Sequence, residues 1–122
     1  MLFRSAIDAL DAVAADRGAP DALRQLATLL AVDRDVAAGR ADDADRLRLA
    51  TVEAPGAPFR ALALDTGAVI DLDAGRIDRS RATLQALLAD ENAPSGLRER
   101  ASTLLEAMSA NGATAAASGA HG

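Results

Sequence analysis

The residues in this chain best suited to chemistry are carboxylates. Asp33, Asp35, Asp42, Asp43 and Asp45 cluster around Gly39. Oxygen ligands at that density suit a hard cation, and a calcium loop would be their natural use. Such a loop alternates Asp or Asn, carries an internal Gly and closes with Glu. The run here lacks that order, so it reads as solvated helix ends beside a turn, where acids near a helix start favour the dipole. Asp71 and Asp73 fall instead near a helix carboxyl end, where negative charge is unfavourable. They are expected to face a partner or an arginine, with Arg76 as the candidate. The one histidine, His121, sits in a tail of Gly, Ala, Ser, Asn and Thr. It has no convergent groups there, so neither a Ser-His-Asp arrangement nor a histidine metal site forms. The chain has no cysteine, which removes thiol catalysis and thiolate ligands. Neither GxGxxG nor GxxxxGK[ST] occurs. The expectation is a protein that is not an enzyme and holds no cofactor or metal.

Composition narrows the partners. The net charge is −5, and an acidic surface repels phosphates, which argues against nucleic acid. All thirteen basic side chains are Arg, and they form no cluster that would favour an anionic membrane. No apolar run reaches the roughly 18 residues of a spanning helix, so no direct membrane insertion by this chain is expected. The start, Met1-Leu2-Phe3-Arg4, is too quickly charged for a signal peptide.

The 122 residues suffice for one domain. Half are hydrophobic, yet Phe3 and Phe59 are the only aromatics, so alanine and leucine must build the core. Both are strong helix formers. Turn residues then divide the chain. Ala-Pro stands at 19–20, 57–58 and 93–94, and Gly-Arg at 39–40 and 75–76. Gly39 to Gly75 is 36 residues, as is Ala57 to Ala93, and Ala19 to Ala57 is 38. A period of that size marks helix-hairpin repeats. Pro20, Pro58 and Pro94 are expected to open helices, and Gly39 and Gly75 to end them.

Periodicity places helices over 5–16, 21–36, 42–53, 58–74, 77–90 and 95–110. The expected core stripes are Ala6, Leu10, Val13 and Ala14; Leu23, Leu26, Ala27 and Leu30; Ile77, Leu84, Leu87 and Leu88; and Leu97, Ala101, Leu104, Leu105 and Met108. Segment 58–74 is apolar on more than one side and should be the most buried. Segment 42–53 is the least regular, with Leu47, Leu49, Ala50 and Val52 among acids and arginines. Leu10, Val13 and Ala14 lie two repeat steps before Leu84, Leu87 and Leu88. Helix 5–16 then reads as the second helix of an earlier unit, so the chain begins in mid-repeat and helix 5–16 keeps an apolar stripe for a partner or for self-association. The domain is 1–110, and 111–122 is read as a disordered Ala/Gly/Ser tail.

These residues carry two resemblances. Segment 61–92 resembles a tetratricopeptide unit: Leu64, Gly67 and Ala68 match its first helix, and Ile77, Ser80 and Leu84 its second, with Ser80 at the small site. It departs with Leu84 where an aromatic is common, Leu87 where Ala is usual, Asp71 where Tyr is usual and Asn92 where Pro is expected. Leu30 takes the place of Ala68 in the other unit. More broadly, Ala-Pro-Gly-Ala-Pro-Phe-Arg-Ala-Leu-Ala (54–63), and Pro-Ser-Gly-Leu-Arg-Glu-Arg-Ala (94–101) after Leu-Leu-Ala-Asp-Glu, are similar to the C-terminal half of tetratricopeptide-like ancillary subunits of the bacterial Sec translocon. That likeness implies a parent with one N-terminal membrane helix and a repeat domain on the periplasmic side of the inner membrane, binding proteins near the translocon. Outside that family, the expected compartment is cytoplasmic.

The expected fold is therefore all-α, a tetratricopeptide-like α-solenoid of about six antiparallel helices. First helices of such hairpins line a concave side. The repeat puts Arg24, Ala31 and Arg34 there from the first unit, Leu62, Asp65, Val69 and Leu72 from the second, and Arg98 and Leu105 from the last helix. Apolar Val69 and Leu72 beside Arg34 and Asp65 would suit an amphipathic or extended protein segment, or else pack on neighbouring helices. The expected function is a protein or peptide-binding scaffold, with structural self-association through helix 5–16 as the alternative.

Overall fold

In a computed structural model of the chain, the backbone is described over residues 2–121 and the side chains over 8–111. All regular structure among them is helical: α1 (Leu2–Ala15), α2 (Asp21–Ala37), α3 (Asp43–Arg48), α4 (Arg60–Asp73), α5 (Ile77–Ala89) and α6 (Ser95–His121). A single 3-10 turn, Leu49–Thr51, continues α3.

The turn chemistry explains the boundaries. Pro20 caps α2 from outside, and Pro94 directly precedes Ser95 of α6. Pro58 stands two residues before α4, which Phe59 caps. Gly39 and Gly75 take positive φ values of 70° and 83°, which only glycine adopts cheaply. At the first, Gly39 N–H donates to the Val36 carbonyl and Arg40 N–H to that of Asp35; at the second, Gly75 donates to Leu72 and Arg76 to Asp71. Each turn thus satisfies two carbonyls that the helix end would leave bare. Segment 42–53 is helical only in part. β-branched Thr51 and Val52 weaken the helix, and Pro55 disfavours helical backbone at Ala54. At the other end of the chain, the break expected near Asn111 is absent. The backbone of α6 continues to His121 across Gly112 and Gly119, where the alanines at 113, 115–117 and 120 supply the helix-favouring residues.

Packing follows chain order with one addition. α1 packs on α2, α4 on α5 and α5 on α6, while α2 also packs on α4, and α4 on α6. Asp33 meets Thr66, and Val36 and Gly39 share a cavity with Ile70, Asp73 and Ala74, so α2 and α4 run in the same direction. Two apolar clusters result. Leu29, Val32, Leu49, Val52, Ala63 and Ile70 join α2, the 3-10 region and α4. Leu64, Ala68, Leu84, Leu87, Ala93, Ala101 and Met108 join α4, α5 and α6. α4 belongs to both, which is why its residues from Ala63 to Asp71 are almost all buried. The middle position expected of 58–74 is observed.

Two expected stripes are displaced. On α2, Leu23 and Leu30 are exposed, and the buried positions are Ala27, Leu29, Ala31 and Val32. On α5, Leu84 and Leu87 are buried, but Ile77 and Leu88 are exposed. α2 covers two narrow lines, Ala27–Ala31 and Leu29–Val32 with half-buried Val36, and leaves Leu23 and Leu30 between them at the surface.

Candidate partner-binding face

α4 sorts its side chains three ways. Leu64 and Ala68 turn to α5 and α6, while Ala63 and Ile70 turn to α2. Leu62, Asp65 and Val69, spaced i, i+3, i+7, form the remaining outward line. Leu62 is exposed, and Asp65 and Val69 are half-buried. Polar contacts tie this line to its neighbours. The Thr66 hydroxyl donates to Asp33 of α2 at 2.7 Å, and the Arg100 guanidinium of α6 donates to Asp65 at 2.9 Å. One turn before the Asp33–Thr66 contact, Leu30 on α2 and Leu62 on α4 are both exposed. The three helices α2, α4 and α6 therefore present a face with an aliphatic end and a charged middle.

The other candidates divide. Arg24 is half-buried and pairs with Asp21 one turn before it. Its Nε is enclosed without a hydrogen bond, as is that of the half-buried Arg98 on α6. Arg34 is half-buried on α2. Leu72 and Leu105 pack against the α4–α5–α6 cluster, and Ala31 is buried, so these three serve the core. Leu30, Asp33 and Arg100 belong to the face without having been expected there. For Leu30 the signal was the competing line Leu29–Val32–Val36 on α2. The ion pair between α4 and α6 has no local signal.

The opposite side of α4 holds an ion network. Asp71 is fully buried and accepts from Arg46 Nε at 3.0 Å and from Arg76 Nε at 2.8 Å. This supplies the cation required at that helix end. The hydrogen bond to Asp71 raises the Arg76 pKa further, so the guanidinium stays charged. Arg46 also donates to Glu53 at 2.5 Å, and Arg76 to Asp43 at 2.9 Å. Burial pushes the Glu53 carboxyl up, and Arg46 partly offsets it. The network rests on Gly67. A Cβ there would lie 2.7 Å from the Glu53 carboxylate and 3.0 Å from Arg46 Cζ.

The acidic cluster is committed to local structure. Asp42 and Asp45 cap α3 reciprocally, each side chain accepting the other's backbone N–H. Asp43 pairs with Arg76, Asp33 with Thr66, and Asp35 with Arg40 at 3.5 Å. Among the described residues no group of His, Cys, Asp or Glu is arranged to hold a metal, and no helix is long and apolar enough to cross a membrane. His121 lies outside the residues whose side chains are described.

Comparison with protein-family models, with curated proteins and with solved structures yields no match.

Proposed function

We propose that this chain is a helical-repeat scaffold, not an enzyme, that holds a segment of another protein along the face of α2, α4 and α6. Its hairpins read as tetratricopeptide-like units, α2 with α3 and α4 with α5, with α1 and α6 as the flanking helices. The observation that carries this reading is the order of contacts. Each first helix touches its own hairpin partner and the first helix of the next unit, leaving one side of the first helices uncovered. Leu30 and Leu62 on that side offer apolar anchorage, and the Asp65–Arg100 pair offers polar positioning. The likeness of 54–63 and 94–101 to ancillary translocon subunits supports a setting on the periplasmic side of a bacterial inner membrane, where the occupant would be a protein emerging from the translocon.

The test is selection of binding peptides from a displayed library on the full chain, followed by titration against variants. Leu30→Arg with Leu62→Arg should weaken selected peptides by about tenfold or more, the value of one lost apolar anchor. Leu47→Arg, at an exposed position on α3, should change nothing. Peptides that bind the double variant as well as the parent would refute the reading.

Self-association keeps one supporting observation: no described residue of α1 is buried, and Leu10, Val13 and Ala14 are only half-covered by α2. Light scattering over a concentration series separates the two. Dimerisation abolished by Leu10→Arg supports this second reading, and a strict monomer removes it.

A further inference from the structure

Among the described residues, the carboxylates that hydrogen-bond across to another element end on an arginine, with one exception. Asp71 meets Arg46 and Arg76, Asp65 meets Arg100, Asp90 meets Arg60 and Asp11 meets Arg48. The exception is Asp33. Its Oδ1 accepts from the Thr66 hydroxyl at 2.7 Å, and among the described residues no arginine pairs with it. Arg34, the next residue on α2, is half-buried and makes its contacts elsewhere. Asp33 is exposed and lies on the face of α2, α4 and α6, one helical turn beyond Leu30, while Thr66 lies one turn beyond Leu62. Resting on the scaffold function proposed above, we infer that Asp33 takes a cation from the occupant: a Lys or Arg side chain whose apolar neighbour lies on Leu30 and Leu62.

The geometry prepares Asp33 for that role. The Thr66 bond fixes the carboxylate and occupies Oδ1, so Oδ2 is left for a donor from outside. Asp65, beside Thr66, gives no compensation, since it is itself negative and is held by Arg100 at 2.9 Å. Partial burial of the Asp33 carboxyl raises its pKa; the Thr66 hydroxyl opposes the rise and the Asp65 charge adds to it. Both raising causes disfavour the anion, and a bound cation relieves them.

The two exposed leucines set the spacing of the occupant. They stand one turn, about 5.4 Å, from the Asp33–Thr66 contact along the helix axes. That matches residues two apart in an extended segment or one turn apart in a helical one. The methylene stem of a Lys or Arg adds apolar length beside the leucines while its head reaches the carboxylate. An acidic residue in the same place would meet Asp33 and Asp65 together, and the net charge of −5 repels acidic segments before contact.

Two displayed peptide libraries test this on the full chain, random except for a central residue fixed as Lys in one and Glu in the other. The Lys library should yield binders and the Glu library none. A binder resynthesised with Gln in place of that Lys should bind the parent about fivefold more weakly, the value of a partly exposed ion pair. Asp33→Asn keeps an acceptor for the Thr66 hydroxyl. It should lose the same factor for the Lys peptide and nothing for the Gln peptide. Equal yields from the two libraries, none included, or a Lys-to-Gln loss that persists in Asp33→Asn, overturn the inference. Leu30→Arg with Leu62→Arg separates it from the reading on which it rests. Binders lost in that double variant yet indifferent to Asp33→Asn remove the cation site and leave the scaffold face standing, whereas binders indifferent to both refute the two together. Should Asp33→Asn fail to fold, the preference of the parent for Lys over Gln decides.

Discussion

The hairpins α2–α3 and α4–α5 solve one packing problem by different means. In the second, a 13-residue helix seats Leu84 and Leu87 against α4, and the Ser80 hydroxyl donates to the Ala68 carbonyl at 2.8 Å. In the first, the partner helix is six residues long, its ion pairs reach α4 and α1 through Arg46 with Asp71 and Arg48 with Asp11, and only Leu49 and Val52 just beyond it join the apolar cluster with α2. Apolar packing is non-directional and tolerates small shifts, whereas a buried ion contact depends on each partner being present. The two apolar clusters share α4, so failure of the ionic hairpin should loosen the α2 side of the molecule and spare the α5–α6 side.

The sharpest way to break the comparison is to remove one arginine partner from the carboxylate beside each turn, Arg46 from Asp71 and Arg40 from Asp35. Arg46→Ala leaves Asp71 fully buried with one cation in place of two, and strands Glu53. A loss of about 3 kcal/mol is expected by denaturant melting. Arg40→Ala, at an exposed pair, should cost under about 0.5 kcal/mol. Equal losses would mean that the two turns are equivalent and that the buried network carries no special weight.

Gly67→Ala sharpens the same point from the backbone side. In an ordinary helix this change would stabilise by about 1 kcal/mol. Here the new Cβ meets Glu53 and Arg46 at 2.7 and 3.0 Å, and displacing that pair should turn the sign to a net loss of about 1–2 kcal/mol. Combining Gly67→Ala with Arg46→Ala should remove most of the clash, so the double variant should lose less than the sum of the singles. Strict additivity would show that the glycine is not there to admit the pair.

How much of this was legible in the sequence depends on the kind of force. Helix positions were legible because proline and glycine act locally, through backbone angles that no distant residue alters. The central burial of α4 was legible from its apolar residues on several sides. The buried face of α2 was not. Of the expected stripe only Ala27 is buried, Leu23 and Leu30 are exposed, and Leu29, Ala31 and Val32 take the remaining core positions because α2 packs against helices on two sides. Of the proposed face, Leu62, Asp65 and Val69 followed from the repeat alignment, which also gave Leu72, a residue that packs on the α4–α5–α6 cluster instead. Arg100, Asp33 and the Arg46–Asp71 contact join residues 25 to 35 positions apart, and no local spacing encodes them. The need of Asp71 for a cation was nevertheless readable, since a carboxylate at a helix carboxyl end is unfavourable by itself.

The most discriminating measurement for the repeat is a difference expected to be near zero. Gly39→Ala and Gly75→Ala both place a Cβ in open space, with nothing within 4 Å. Neither change can act through packing, and each acts only through the left-handed backbone at φ 70° and 83°. The two should therefore cost the same, about 1 kcal/mol each, although one turn borders the buried Asp71 network and the other the exposed Arg40 pair. Chemical denaturation of the two single variants measures this. A markedly larger loss at Gly75 would mean that backbone strain there propagates into the Arg76–Asp71 contact, so the turns would be coupled to their charge surroundings. Matching losses would confine the asymmetry between the hairpins to side chains, leaving one backbone motif used twice.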